Sequence, residues 1–130
     1  MNCPVCKEPM IVLELNQVEI DYCTSCESTW LDSGELEFLL EESTNKEKII
    51  SSLSIRIDVA EKKLKCPYCR KKMDKIKIEG KEAIIIDKCP RGEGHLFEKD
   101  ELQKVLIAGN LSEDNPLVNQ LKSIFAYKLK

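Results

Sequence analysis

Histidine and aromatic residues are the scarce components of this chain: one histidine, His95, stands among 130 residues, and only 5% are aromatic. A single histidine excludes an H-E-x-x-H metalloprotease helix, and neither a Ser/His/Asp set nor a nucleotide-binding glycine loop is present. The sequence therefore predicts a protein without enzymatic activity. No stretch approaches the length of a membrane span, and the N-terminus lacks a basic segment followed by an apolar run. These features predict a soluble, cytoplasmic protein with no membrane partner. Aromatic poverty also leaves little bulk for a core, and units of about 40 residues need a metal or disulfides to hold together. What the chain does have is seven cysteines, which in a reducing cytosol favour metal over disulfides.

The first four cysteines fall as Cys3-Pro4-Val5-Cys6 and Cys23-Thr24-Ser25-Cys26, a C-x2-C-x16-C-x2-C pattern. Two residues between cysteines let one tight turn present both sulfurs to one ion, and two such turns complete a tetrahedron. Four protein donors leave no position for water, so the expected zinc is structural. A disulfide pair or unliganded core cysteines are the competing readings, and the paired spacing favours metal over both. Lys7 and Glu27 stand where many knuckles carry a glycine for a left-handed turn.

Between the cysteine pairs, Val18 and Ile20 alternate with Glu19 and Asp21, and the Met10–Tyr22 stretch reads as a hairpin around Asn16-Gln17. After Cys26, Asp32 is expected to cap a helix with Glu35 completing a capping box. That helix is predicted to run to about Glu42, with Leu36, Leu39 and Leu40 on its apolar face. Trp30 is expected to pack between the knuckle and this helix, the alternative being an anchor for a partner. In residues 43–65, a helical stripe (Ile49, Ile50, Leu53, Ile57, Ala60, Leu64) competes with strand alternation (Leu53, Ile55, Ile57, Val59). Length and Lys/Glu-rich ends favour a helix.

A second copy then begins. Cys3, Cys6 and Met10 recur 63 residues later as Cys66, Cys69 and Met73, while Ile20, Asp21, Cys23, Glu35 and Leu36 recur 66 residues later as Ile86, Asp87, Cys89, Glu101 and Leu102. The added residues fall in the second hairpin, which turns at Glu79-Gly80-Lys81. Gly92 takes the place of Cys26, so this copy has three cysteines. His95 is the expected fourth ligand, swung in by Gly92 and Gly94, with Glu93, Glu98 or water as alternatives. A helix is expected from about Glu98–Asp100 to Gly109, and another from Asn115-Pro116, whose face (Leu117, Leu121, Ile124, Phe125, Leu129) either folds back on the chain or pairs with a second copy.

The residues Cys-Pro-Val-Cys, Ile-Asp-Tyr-Cys-Thr-Ser-Cys and Trp-Leu-Asp-Ser-Gly-Glu-Leu resemble the zinc-ribbon family named after transcription factor IIB over residues 3–40. Residues 66–106 resemble a divergent copy, in which the family's histidine stands two places before His95 and its tryptophan is Leu96. The resemblance implies zinc binding and a ribbon fold. The resulting expectation is a small, metal-stabilised α+β protein: one zinc ribbon (residues 1–44), a helical connector (45–65), a second ribbon (66–109) and a C-terminal amphipathic helix (110–130). Each ribbon is a β-hairpin with a short helix. Two structural zinc ions are expected, one on Cys3, Cys6, Cys23 and Cys26, the other on Cys66, Cys69, Cys89 and His95.

Charge is segregated. Residues 1–45 carry one Lys and ten Asp/Glu, whereas residues 46–81 carry twelve Lys/Arg and five Asp/Glu. The formal charge of -3 would become about -6 with two zinc ions and seven thiolates, unlike a protein that coats nucleic acid. The leading expectation is an interaction module that recruits a protein partner or forms a homodimer. The alternative is a nucleic-acid-associated protein using Lys62, Lys63, Lys65, Arg70, Lys71, Lys72, Lys75, Lys77 and Lys81 against phosphates. A thiol–disulfide enzyme fits poorly, since redox C-x2-C motifs occur singly at a helix start.

Overall fold

The computed structural model describes residues 1–15, 17–41, 43–60, 63–78 and 83–109. The expected C-terminal helix, the second hairpin's turn, and Lys62 and Lys81 of the basic cluster lie outside the described residues. Among those described, no helix is long and apolar enough to cross a membrane.

Alternating apolar residues produce the two hairpins. β1 (Ile11–Leu15) pairs antiparallel with β2 (Val18–Tyr22), placing Leu15, Val18 and Ile20 in the core. The chain then runs through β3 (Thr29–Asp32), α1 (Glu35–Leu39), α2 (Lys46–Ser52) and β4 (Arg56–Ile57). β5 (Asp74–Ile78) and β6 (Ile84–Lys88) form the second hairpin, followed by β7 (Gly94–Phe97) and α3 (Glu101–Ala108). Among the described residues, the seven strands form one antiparallel sheet in the order β1-β2-β3-β7-β6-β5-β4. A small α+β architecture with few helices is thus what the chain adopts.

The pairing of β3 with β7 joins the halves. Trp30 lies opposite Leu96, with Thr29 opposite Phe97 and Leu31 opposite His95. Trp30 and Leu96 are 66 residues apart, and so are Asp21 and Asp87, which pair with them from β2 and β6. A local two-fold relation of the backbone register therefore passes through the Trp30–Leu96 pair. Both strands are only four residues long, and nothing in their composition alternates clearly enough to announce them.

Side chains alternate across the sheet. On one face Leu31, Phe97, Ile20, Ile76 and Ile86 meet the helices through Leu36, Leu39, Leu40, Leu102, Val105 and Leu106. On the other, Trp30 and Leu96 pack with Cys3, Met10, Cys23, Cys66, Met73 and Cys89. Trp30 is fully buried on this cysteine face, instead of between knuckle and helix as its position before α1 suggested. Its ring lies 5.8 Å from that of Tyr68, tilted by 59°, so one indole touches both halves.

The helix starts differ from the expected capping box. Asp32 is not the cap: its carboxylate accepts the indole N–H of Trp30 at 2.9 Å, while Glu35 Oε1 accepts the Asp32 backbone N–H at 2.6 Å. Gly34, at φ 90°, is the N-cap. In α3 the same arrangement recurs, with Glu101 Oε1 accepting the Glu98 N–H at 2.6 Å and Asp100 at φ 67° as N-cap. α1 is shorter than its leucine spacing suggested, turning at Leu40.

The connector also divides: the helical stripe is realised only over Lys46–Ser52, after which Arg56–Ile57 extend and pair with Ile76 and Lys75. β4 thereby covers the outer edge of β5. The connector's start ties down the end of α3, since Ser43 Oγ donates to the Gly109 carbonyl and Asn45 Nδ2 donates to that of Ala108 at 3.2 Å.

Candidate metal centre

Each first knuckle is built by the same backbone bonds. The Cys3 N–H donates to the Glu8 carbonyl at 2.8 Å and the Lys7 N–H to the Cys3 carbonyl at 2.9 Å; their counterparts run from Cys66 to Lys71 and from Arg70 to Cys66, both at 2.9 Å. Closing this turn requires a left-handed residue, which Lys7 (φ 70°) and Arg70 (φ 64°) supply without glycine. Glu27 does so at φ 66° in the second knuckle of the first half. The turns aim backbone N–H groups at sulfur: Val5 at Cys3 and Tyr68 at Cys66, both at 3.4 Å, and Arg91 at Cys89 at 3.3 Å. Such donors favour the thiolate.

Four thiols converge in the first half, where the Sγ atoms of Cys3, Cys6, Cys23 and Cys26 lie within 4.8 Å of one another. Cys3 and Cys26 lie 3.5 Å apart and Cys6 and Cys23 3.4 Å apart. A disulfide needs about 2.05 Å, whereas zinc–sulfur bonds of about 2.3 Å set tetrahedral edges of about 3.8 Å. The separations suit a shared ion, and all seven cysteines are free thiols. Burial pushes the Cys3 thiol up to about 12. At Cys23 burial also opposes ionisation, but the N–H groups of Cys26 and Ser25 and the Cys6 thiol outweigh it and bring the group down to about 7. A divalent cation supplies the charge that buried thiolates lack, so this donor set fits zinc.

In the second half, the Sγ atoms of Cys66, Cys69 and Cys89 lie within 4.8 Å of one another. Burial raises the Cys66 thiol to about 11. The backbone N–H of Lys71 leads in lowering that of Cys69, to which the charge of Arg91 adds.

His95 does not join this group. It is a strand residue opposite Leu31 and Lys88, and alternation turns it to the helix face, while Leu96 beside it faces the cysteines. Two glycines before it suggested a loop able to swing the imidazole to the cysteines; β7 begins at Gly94 and fixes it on the helix face instead. Both ring nitrogens are buried with no hydrogen-bond partner. Burial, and then the charge of Lys88, lower its pKa to about 4, so the ring is neutral. Gly94 serves another purpose: a Cβ there would press on the Leu31 carbonyl and lie 2.7 Å from Cζ2 of Trp30. Of the alternative ligands, Glu93 is exposed beside Gly92, and Glu98 holds the entry to α3 through its backbone.

The basic cluster is only partly available. Lys63, Lys65, Arg70, Lys71, Lys72 and Lys77 are exposed. Lys75 is not: it is 4% exposed and pairs with Asp87 at 2.7 Å, on a strand whose outer edge β4 covers. The missed signal was Asp87 itself, an acid inside an otherwise apolar Ile-Ile-Ile strand.

Residues 2–42 match the transcription factor zinc-finger family. That match covers the first cysteine cluster and less than half of the chain. No curated protein and no solved structure matches the chain.

Proposed function

We propose that this chain is a non-enzymatic zinc protein in which the metal shapes a surface for binding another protein chain. The carrying observation is the closed set of four thiols, Cys3, Cys6, Cys23 and Cys26, within 4.8 Å of one another. Zinc held by four thiolates offers no position for substrate, so its contribution is to fold. The three-cysteine cluster, the recurring strand register and the recurring entries to α1 and α3 support reading the second half as a divergent ribbon with its own zinc.

The interaction part of the reading draws on the sheet's unequal edges. β5 is covered by β4, whereas β1 is the last strand of the described sheet on its side. Ile11 and Val12 on it are 45% and 61% exposed. An edge carrying apolar residues is a template for strand addition.

The decisive experiment combines metal analysis with binding. Two zinc ions per chain are expected. Less than about one, with cysteines in disulfides, would overturn the zinc reading. A second reading, nucleic-acid association, draws support from the exposed Lys63, Lys65, Arg70, Lys71, Lys72 and Lys77. Binding to a duplex that weakens steeply with salt and is lost when Lys71, Lys72 and Lys77 become Glu would favour that reading over the interaction module.

A further inference from the structure

The two cysteine clusters differ at one corner. In the first half that corner is Cys26; in the second it is Gly92, exposed, at φ 78°, where an added Cβ would meet no atom within 4 Å. No imidazole or carboxylate among the described residues joins Cys66, Cys69 and Cys89, and His95 is held on the opposite face of the sheet. Among the described residues, nothing fills the fourth corner.

Cations adjoin the three cysteines along the chain, and the charge of Arg91 acts on Cys69. Arg70 and Arg91 are exposed, as are Lys71 and Lys72, with Glu93 the one acid on the Cys89–Gly94 loop. Zinc on three thiolates carries one net negative charge and retains a free position for a soft donor.

We propose that Cys66, Cys69 and Cys89 form an open three-thiolate metal site whose fourth position takes a small exogenous thiol bearing carboxylates, guided by Arg70 and Arg91. This rests on the zinc reading above, and the closed first site is its internal control. The exchange is not a redox step: the incoming thiol gives its proton to the buffer, and its sulfur donates one electron pair to the metal.

The test loads the full chain with two equivalents of cobalt(II) and adds glutathione, then cysteamine as a cationic thiol. Thiolate-to-cobalt charge-transfer absorption grows with the number of bound sulfurs. It should rise saturably with glutathione by one sulfur per chain, with cysteamine weaker by about fivefold or more. Arg91→Glu should weaken the glutathione response similarly at unchanged metal content. His95→Leu should retain both metals and the full response. Two bound metals without any thiol response, loss of the second metal in His95→Leu, or equal responses to both thiols would overturn the proposal. One metal per chain would also overturn it while leaving the first-site reading standing; no metal at all would remove both.

Discussion

His95 carries an unpaired cost. A half-buried imidazole whose two nitrogens are both buried and unsatisfied forfeits hydrogen bonds that water would supply. His95→Leu should therefore stabilise the protein by roughly 1 kcal/mol at neutral pH. The pH dependence is a sharper test. Because burial lowers the folded pKa from 6.5 to about 4, the unfolded chain binds the proton first as pH falls. The neutral ring's contribution is complete above about pH 6.5 and is lost as pH falls towards 4, amounting to about 2 kcal/mol by pH 5. Thiolate protonation acts on both proteins, so the difference between wild type and His95→Leu in urea unfolding at pH 7.5 and pH 5 isolates the imidazole. Parallel losses would show the ring to be open to water. At this scale the sequence spoke unevenly. Cysteine spacing located all seven thiols because a knuckle is a local turn, whereas the direction of His95 depends on a strand pairing made with a residue more than sixty positions away.

Among the elements, the β3–β7 pair is where the fold is most sensitive. Gly94→Ala would force a methyl group against the Leu31 carbonyl and the Trp30 ring, and neither backbone nor buried indole can yield easily. A loss of about 1–3 kcal/mol is expected, visible in chemical denaturation and accompanied by altered tryptophan fluorescence. An unchanged midpoint would mean that the strands part freely. The hairpins were readable from apolar alternation, and α3 from Gly109 at its end and from Glu101 and Leu102 repeating Glu35 and Leu36. β3 and β7 were hidden because four-residue strands buried on both faces lack a period, and β4 because Arg56–Ile57 extend only through partnership with β5.

At the scale of the molecule, the one sheet and one helix-side core of the described residues imply one folding unit, although the cysteines suggest two. Cys23→Ser, which breaks the first cluster, is expected to lower the unfolding midpoint of both halves together. Amide exchange in β5 and β6 should accelerate along with that in β1 and β2, giving a single transition in calorimetry. Retention of slow exchange in β5 and β6 after this change would mean that the halves fold independently.

Trp30 and Gly94 also decide which half can pair with which. The register offset that relates Trp30 to Leu96 relates Ser28 to Gly94, so the large residue of one half meets the smallest residue of the other. Two copies of the first half brought together in the same register would set each indole against a serine Cβ, in space that Trp30 fills when Gly94 is its neighbour. Two copies of the second half would leave that space empty between two leucines. Each half is thus shaped to reject its own twin and accept its sibling, so the joined chain assembles as a heterodimer tied by its own backbone.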